Sequence, residues 1–311
     1  MTKTTEHLVH GRETYMVDFG DAFVMKRPLP TFGPDARNAW LEKQHRTKSI
    51  IEEISAIKNP RYNIPQMTFI RDDEYQLLEE RAPGEHLTPE LFKTLPQRQR
   101  YEIIDGIASF LVDMNELKPI GPVIKHKISQ DFKFNRLNAF IDTKMSKWFT
   151  ADEVSYMNNV RNAVGTFEYE TRMAWSHGDL NSGNVLYDAK TSTLSFIDFA
   201  EADYHFIYRD IFAPLQIELD IYTPVYEAYN KLHNKDMYPM PGARNPNLRN
   251  IMKYRILVAL LRRIIKASDD LRINPESAKG IVNNTNKIHF IREQIEKIKY
   301  VEQVFKNSIQ K

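Results

Sequence analysis

The stretch "WSHGDLNSGNVLYD", residues 175–188, crowds histidine, aspartate, asparagine and glycine directly ahead of a strand-like run. A turn uses Gly, Asn and Asp. It does not require His177, Asp179 and Asn184 at these offsets. A polar, turn-like "AKTST" then leads into "TLSFIDF", so "NVLYD" and "TLSFIDF" form an antiparallel hairpin. Centring the turn on Thr191 sets Asn184 opposite Asp198, at about 5 Å for directly opposed residues. An amide oxygen and a carboxylate would then meet at the open end of the hairpin. Both are hard oxygen donors of the kind that suits Mg²⁺. Asp179, one short loop earlier, would curl back over the same spot. Two oxygen ligands and a separately placed carboxylate form the arrangement that phosphoryl transfer uses, with Asp179 orienting a hydroxyl and accepting its proton. Each of these residues alone also has a structural reading as a turn former. The joint pattern carries the chemical one.

The rest of the chain frames that motif. Its 311 residues are 42% hydrophobic and 27% charged, with a net charge of +2. This is the composition of an ordinary globular chain with room for a sizeable core. The near-neutral balance gives no electrostatic footprint for nucleic acid. There is no cysteine, which excludes disulfides, thiolate catalysis and cysteine metal sites. "MTKTTEHLVHGRETYMV" has no apolar run of the secretory kind. "YRILVALLRRIIKA" is too short and too basic to span a bilayer. A cytoplasmic protein without a membrane partner is therefore expected. The oligomeric state stays open, because amphipathic helices such as "IREQIEKIKYVEQVF" pack equally well within or between chains.

Two zones are expected. Residues 1–80 read as a β-rich unit: a hairpin in "TYMVDFGDAFVMKRP", a helix over residues 34–58 with Ile50, Ile54 and Ile57 on one face, and two more strands in "IPQMTFIRDDEYQLLEE". "RAPGEHL" is a Pro/Gly joint. Residues 81–311 read as mostly helical, with the hairpin after the opening stretch as their one strand-like interruption.

A phosphate-binding cation is also needed. "FVMKRP" offers Lys26, which shares a strand face with Val24. Gly11, in "VHGRE", would let backbone approach a phosphate. No G-x-G-x-x-G is present. His177 reads as structural, hydrogen-bonding backbone near the loop.

"HGDLNSGNVLYD…FIDF" resembles the catalytic segment of aminoglycoside phosphotransferase-like and choline kinase-like small-molecule kinases. The likeness extends in order from residue 8 to 215, through Lys26, the "ERAPGEHL" linker and Asp210 in "YRDIFAP". It implies an α+β, bilobal protein-kinase-like fold: a small β-rich N-lobe with one long helix, and a larger helical C-lobe. It also implies ATP and Mg²⁺ as cofactors. Asp179 is then the catalytic aspartate, Asn184 and Asp198 bind magnesium, and Lys26 contacts the α/β-phosphates. Backbone near Glu80 bonds adenine, and Asp210 steadies the catalytic loop. Two departures stand out: Ala200 where many relatives have glycine, and "HGRETY" as the nucleotide loop. The helix glutamate that would pair with Lys26 is unassigned: Glu42 and Glu53 lie on nearly one stripe, and neither matches the usual spacing well.

The loop is H-G-D rather than the H-R-D of protein kinases, and eleven residues separate Asp198 from Asp210, which leaves no activation segment. A small hydroxylated acceptor is expected in preference to a protein. A nucleotide-binding module without turnover is the other alternative, although the loop Asp, the metal Asp and the strand Lys are all retained. Glu201, Asp203, Glu218 and Asp220, interleaved with Tyr204, Phe206, Tyr208, Tyr222 and Tyr226, suit a cationic acceptor. They equally suit a helix with a solvated acidic face and a packed aromatic one.

Overall fold

Two β-branched and aromatic runs, β2 (Thr14–Phe19) and β3 (Phe23–Pro28), pair antiparallel from Thr14↔Pro28 to Phe19↔Phe23. With β1 (Val9–His10) they start a sheet that ends the ladder of β3 at a proline. The structure is a computed structural model that describes residues 9–10, 14–19, 22–71, 75–127, 134–232, 246–269, 271 and 278–307. Helix α1 (Pro34–Ser55) starts with Pro34 in its first turn, where a missing N–H costs nothing. It buries Trp40, Gln44, Thr47, Ile50, Ile51 and Ile54. Ile57, expected on that face, is instead 42% exposed, because the helix stops at Ser55 and Lys58 turns the chain with φ +52°. After β4 (Tyr62–Asn63), the strands β5 (Met67–Arg71) and β6 (Gln76–Glu80) complete an antiparallel sheet of order β1-β2-β3-β6-β5. Its buried face carries Met67 and Leu77 toward α1, where His45 stacks on Phe69 at 4.1 Å.

The Pro/Gly joint leads into β7 (Glu85–His86), α2 (Pro89–Thr94) and α3 (Gln97–Glu116). Then follow β8 (Val123–Lys127), α4 (Phe134–Ala139), α5 (Ala151–Thr166) and β9 (Glu168–Ser176). The motif hairpin is β10 (Val185–Asp188) and β11 (Thr193–Phe196). Next come β12 (Asp203–Phe206), α6 (Tyr208–Ile211), α7 (Pro214–Glu218) and α8 (Tyr222–Leu232). Two long helices, α9 (Pro246–Asp269) and α10 (Ala278–Asn307), close the chain. The hairpin is therefore not the only β structure after residue 81. β12 pairs with Met173–Ser176 of β9 and β8 with its earlier residues. Strands β8 and β9 are rich in charge, and only the alternating burial of "EYETRMAWS" discloses the period of two.

The hairpin register also differs from expectation by one residue. Val185 faces Phe196 and Asp188 faces Thr193. The loop is thus residues 189–192, closed by Ser192 at φ +55°. Asp188 accepts the Lys190 N–H and the Thr191 hydroxyl, each at 2.9 Å. A one-residue slip exchanges the faces of a strand, so Asn184 and Asp198 are not cross-strand partners. Ile197 donates its N–H to the Asn184 carbonyl at 3.0 Å instead.

The chain packs as two compact units, residues 1–121 with 173–238 and residues 122–172 with 239–311. In the first, β10 and β11 join β7 and β4 in a second sheet of order β4-β11-β10-β7. Gly84 (φ +100°) lets the linker lie against β10, since a Cβ there would sit 2.5 Å from the Tyr187 carbonyl. Under the hairpin, Phe110 of α3 stacks on Phe196 at 3.8 Å, with Tyr62 edge-on to both. In the second unit, Ile291, Ile295 and Ile298 form the buried stripe of α10 and Leu257, Leu261 and Ile264 that of α9. Among the described residues no helix is long and apolar enough to cross a membrane.

Candidate active site

Strand β9 delivers the chain to His177, whose ring is fully buried against Phe199 (4.6 Å) and Phe110 (6.1 Å). Its Nε2 lies 3.0 Å from the Ile197 carbonyl, and its Nδ1 accepts the Asp179 N–H at 3.4 Å. That pattern selects the Nε2–H tautomer. His177 therefore spans the loop and the segment that leads into Asp198. Asp210, 2% exposed on α6, accepts the His177 N–H at 2.5 Å on one oxygen and the Gly178 N–H at 3.2 Å on the other. Gly178 sits at φ +84°, and a Cβ on it would fall 2.0 Å from the Glu201 carbonyl oxygen. Only glycine fits there. Arg209 donates to the Gly178 carbonyl at 2.7 Å. The sequence reading missed this residue, although its place beside Asp210 was a signal.

The loop these contacts hold presents Asp179, which is exposed. Asn184 is buried and spends its amide NH₂ on Asp179, at 2.7 Å from the carbonyl oxygen and 3.2 Å from the carboxylate. This orientation leaves the Asn184 Oδ1 without a donor among the described residues. Asn181 adds bonds to the Asp179 carbonyl and the Gly183 N–H. Asp198 adopts a left-handed conformation (φ 60°, ψ 64°) as the cap of the 3₁₀ turn Phe199–Glu201. Its carboxylate is exposed and accepts no hydrogen bond among the described residues. A free amide oxygen and a free carboxylate fit Mg²⁺, which takes few protein oxygens and keeps several waters. Among the described residues no group of three His, Cys, Asp or Glu side chains forms a metal cage, and the Asn–Asp pair does not need one.

Lys26 on β3 bonds Glu79 on β6, Nζ to Oε2 at 2.5 Å, with the side chains 14% and 12% exposed. Burial pulls the ammonium down, but attraction to Glu79, their hydrogen bond and attraction to Asp198 outweigh it and hold Lys26 above its ordinary value. Neither helix glutamate takes this role: Glu42 is exposed, and Glu53 bonds Lys118 at 3.1 Å. Glu80 ends β6 with its N–H committed to the Gln66 carbonyl at 2.9 Å, and Arg81 donates to Ala22. The next N–H, that of Ala82, has no acceptor among the described residues. Gly11 lies outside the described residues.

Of the acidic and aromatic residues that follow Asp198, Tyr226 is core, 1% exposed and stacked on Phe212. Tyr204 donates to the Pro119 carbonyl, and Glu201 bonds Lys43 of α1 at 2.9 Å.

Fold and site together define a mixed α+β protein of the bilobal protein-kinase-like class. The solved structures it is similar to include the GDP complex of wild-type aminoglycoside 2'-phosphotransferase-IIIa (TM-score 0.60, 14% identity, 94% of this chain and 92% of that one). A choline/ethanolamine kinase family protein from Mesorhizobium loti matches with TM-score 0.55 and 13% identity over 97% and 93% of the chains. The amicoumacin kinase hAmiN, in complex with AMP-PNP, Ca²⁺ and Ami, matches with TM-score 0.51 and 11% identity over 95% and 89%. At such identities the likeness is one of fold. By sequence, no curated protein matches. The phosphotransferase enzyme family does match, over residues 62–220, just over half of the chain, and the chain belongs to that family.

Proposed function

We propose that this phosphotransferase uses ATP and Mg²⁺ to phosphorylate a hydroxyl of a small-molecule acceptor of aminoglycoside, choline or sugar type. The observation that carries the reading is the exposed Asp179 carboxylate on a loop pinned from below by Asp210 and from the side by Asn184. Such a fixed carboxylate accepts the acceptor's proton as its oxygen bonds to the γ-phosphorus and the bond to the β-phosphate oxygen breaks. Lys26 binds the α/β-phosphates. Backbone just past Glu80, at Ala82, receives the adenine. Asn184 and Asp198 hold Mg²⁺, which supplies neutralisation of phosphate charge. Residues 1–80 serve as the nucleotide lobe, and residues 81–311 carry the catalytic loop and the acceptor site. An amine-bearing acceptor would meet Asp220 rather than the packed ring of Tyr226 or the paired Glu201.

The test is phosphate transfer to a mixed pool of hydroxylated metabolites and aminoglycosides, read as new phosphorylated masses. Asp179→Asn is run alongside. The expected result is a product that disappears in the variant while nucleotide binding persists. Equal product from both proteins would remove Asp179 from the chemistry. Binding of Mg·ATP without product from any hydroxylated pool would favour a binding module.

A further inference from the structure

Helix α1 carries four carboxylates, and none is available to Lys26. Asp35 and Glu42 are exposed, Glu52 bonds Lys48, and Glu53 bonds Lys118. The buried side of the helix is Trp40, Gln44, Thr47, Ile50, Ile51 and Ile54, with no acid among them. The lysine is paired from the sheet itself. In the β3–β6 ladder Lys26 faces Leu77 and Val24 faces Glu79. Lys26 and Glu79 are therefore diagonal neighbours on one face, within reach for long side chains. Both are nearly buried, and their contact is 2.5 Å.

We propose that Glu79 is the positioning residue for the phosphate-binding lysine, set within the sheet and independent of where α1 lies. This rests on the nucleotide reading above. A charged, nearly buried partner selects one extended arrangement of a side chain that otherwise samples many. Glu79 also precedes Glu80, so the end of one strand fixes the lysine and feeds the backbone assigned to the base.

The test compares wild type with Glu79→Gln, which keeps the shape and removes the charge, and with Glu42→Gln and Glu53→Gln. Acylation of Lys26 by an amine-reactive ester, mapped by peptide mass, is measured in the free protein and with Mg·AMP-PNP. Nucleotide and acceptor KM, kcat and the melting temperature are measured on the same proteins. We expect Lys26 in Glu79→Gln to be acylated several-fold faster without nucleotide, because less of its charge is held. We expect kcat/KM for nucleotide to fall about 10- to 100-fold, the size usual when the partner that orients a binding side chain is removed. The acceptor KM should not move, and both helix variants should match wild type. Unchanged acylation in Glu79→Gln overturns the pairing. Faster acylation with unchanged nucleotide parameters makes the pair merely structural and overturns the proposal. Failure of Mg·AMP-PNP to protect wild-type Lys26 overturns the nucleotide reading and the proposal with it.

Discussion

Asn184 bonds Asp179 twice through one amide nitrogen, at 2.7 Å to the backbone carbonyl and 3.2 Å to the carboxylate five residues earlier. The residue assigned to the metal therefore also aims the residue assigned to the proton. Asn184→Ala should lose both functions. Its apparent Mg²⁺ requirement should rise at least tenfold, the lower end of what loss of a supporting partner costs. Losing its hydrogen bond to the Asp179 carbonyl, which Asn181 still bonds, should lower stability by about 0.5–1.5 kcal/mol. Magnesium titrations of activity and urea midpoints check the two effects separately. A variant with normal magnesium dependence would remove Asn184 from the metal site.

Gly178 and Gly183 lie in the same loop, yet their substitutions should diverge. Gly178→Ala places a methyl against the Glu201 carbonyl at a positive φ. We expect a loss of about 3 kcal/mol or more, from strain and overpacking together. The Cβ of Gly183→Ala would meet only the Asn181 side chain, at 3.0 Å. That variant should lose under about 1 kcal/mol. Denaturant midpoints of the two variants decide it, and equal midpoints would contradict the close approach.

The Lys26–Glu79 pair predicts an alkaline limit to stability. A lysine held above its ordinary value stabilises fully below the unfolded pKa, about 10.4. That contribution is lost as pH rises through the higher folded value. Wild type should exceed Glu79→Gln by about 2 kcal/mol at pH 8, the scale of a hydrogen bond between charged groups. The gap should close above pH about 10.4. Urea melts of both proteins across that range measure it. A gap that widens with pH would give the pair the wrong sign.

The motif was legible because its parts are local. His177, Asp179 and Asn184 belong to one short loop, and Asp198 follows one hairpin later. The hairpin register was not legible, because one residue in a left-handed conformation, Ser192, sets the loop length and nothing in "AKTST" announces it. Strand β8 was hidden by its lysines and β12 by its length of four residues. The partner of Lys26 was sought on a helix by spacing, whereas strand pairing supplies it from 53 residues away. Each error lies where a long-range contact overrides a local pattern.

The two compact units alternate along the chain: the first takes residues 1–121, the second begins at 122, the first resumes at 173 and the second at 239. Neither can be cut out as one continuous fragment. During synthesis the first unit cannot be completed until the ribosome has passed residue 238, by which time the opening segment of the second has already emerged and must wait for α9 and α10. A premature stop after residue 238 would release a finished Asp179 loop together with residues 122–172 lacking the rest of their unit, a species prone to capture by chaperones or proteases.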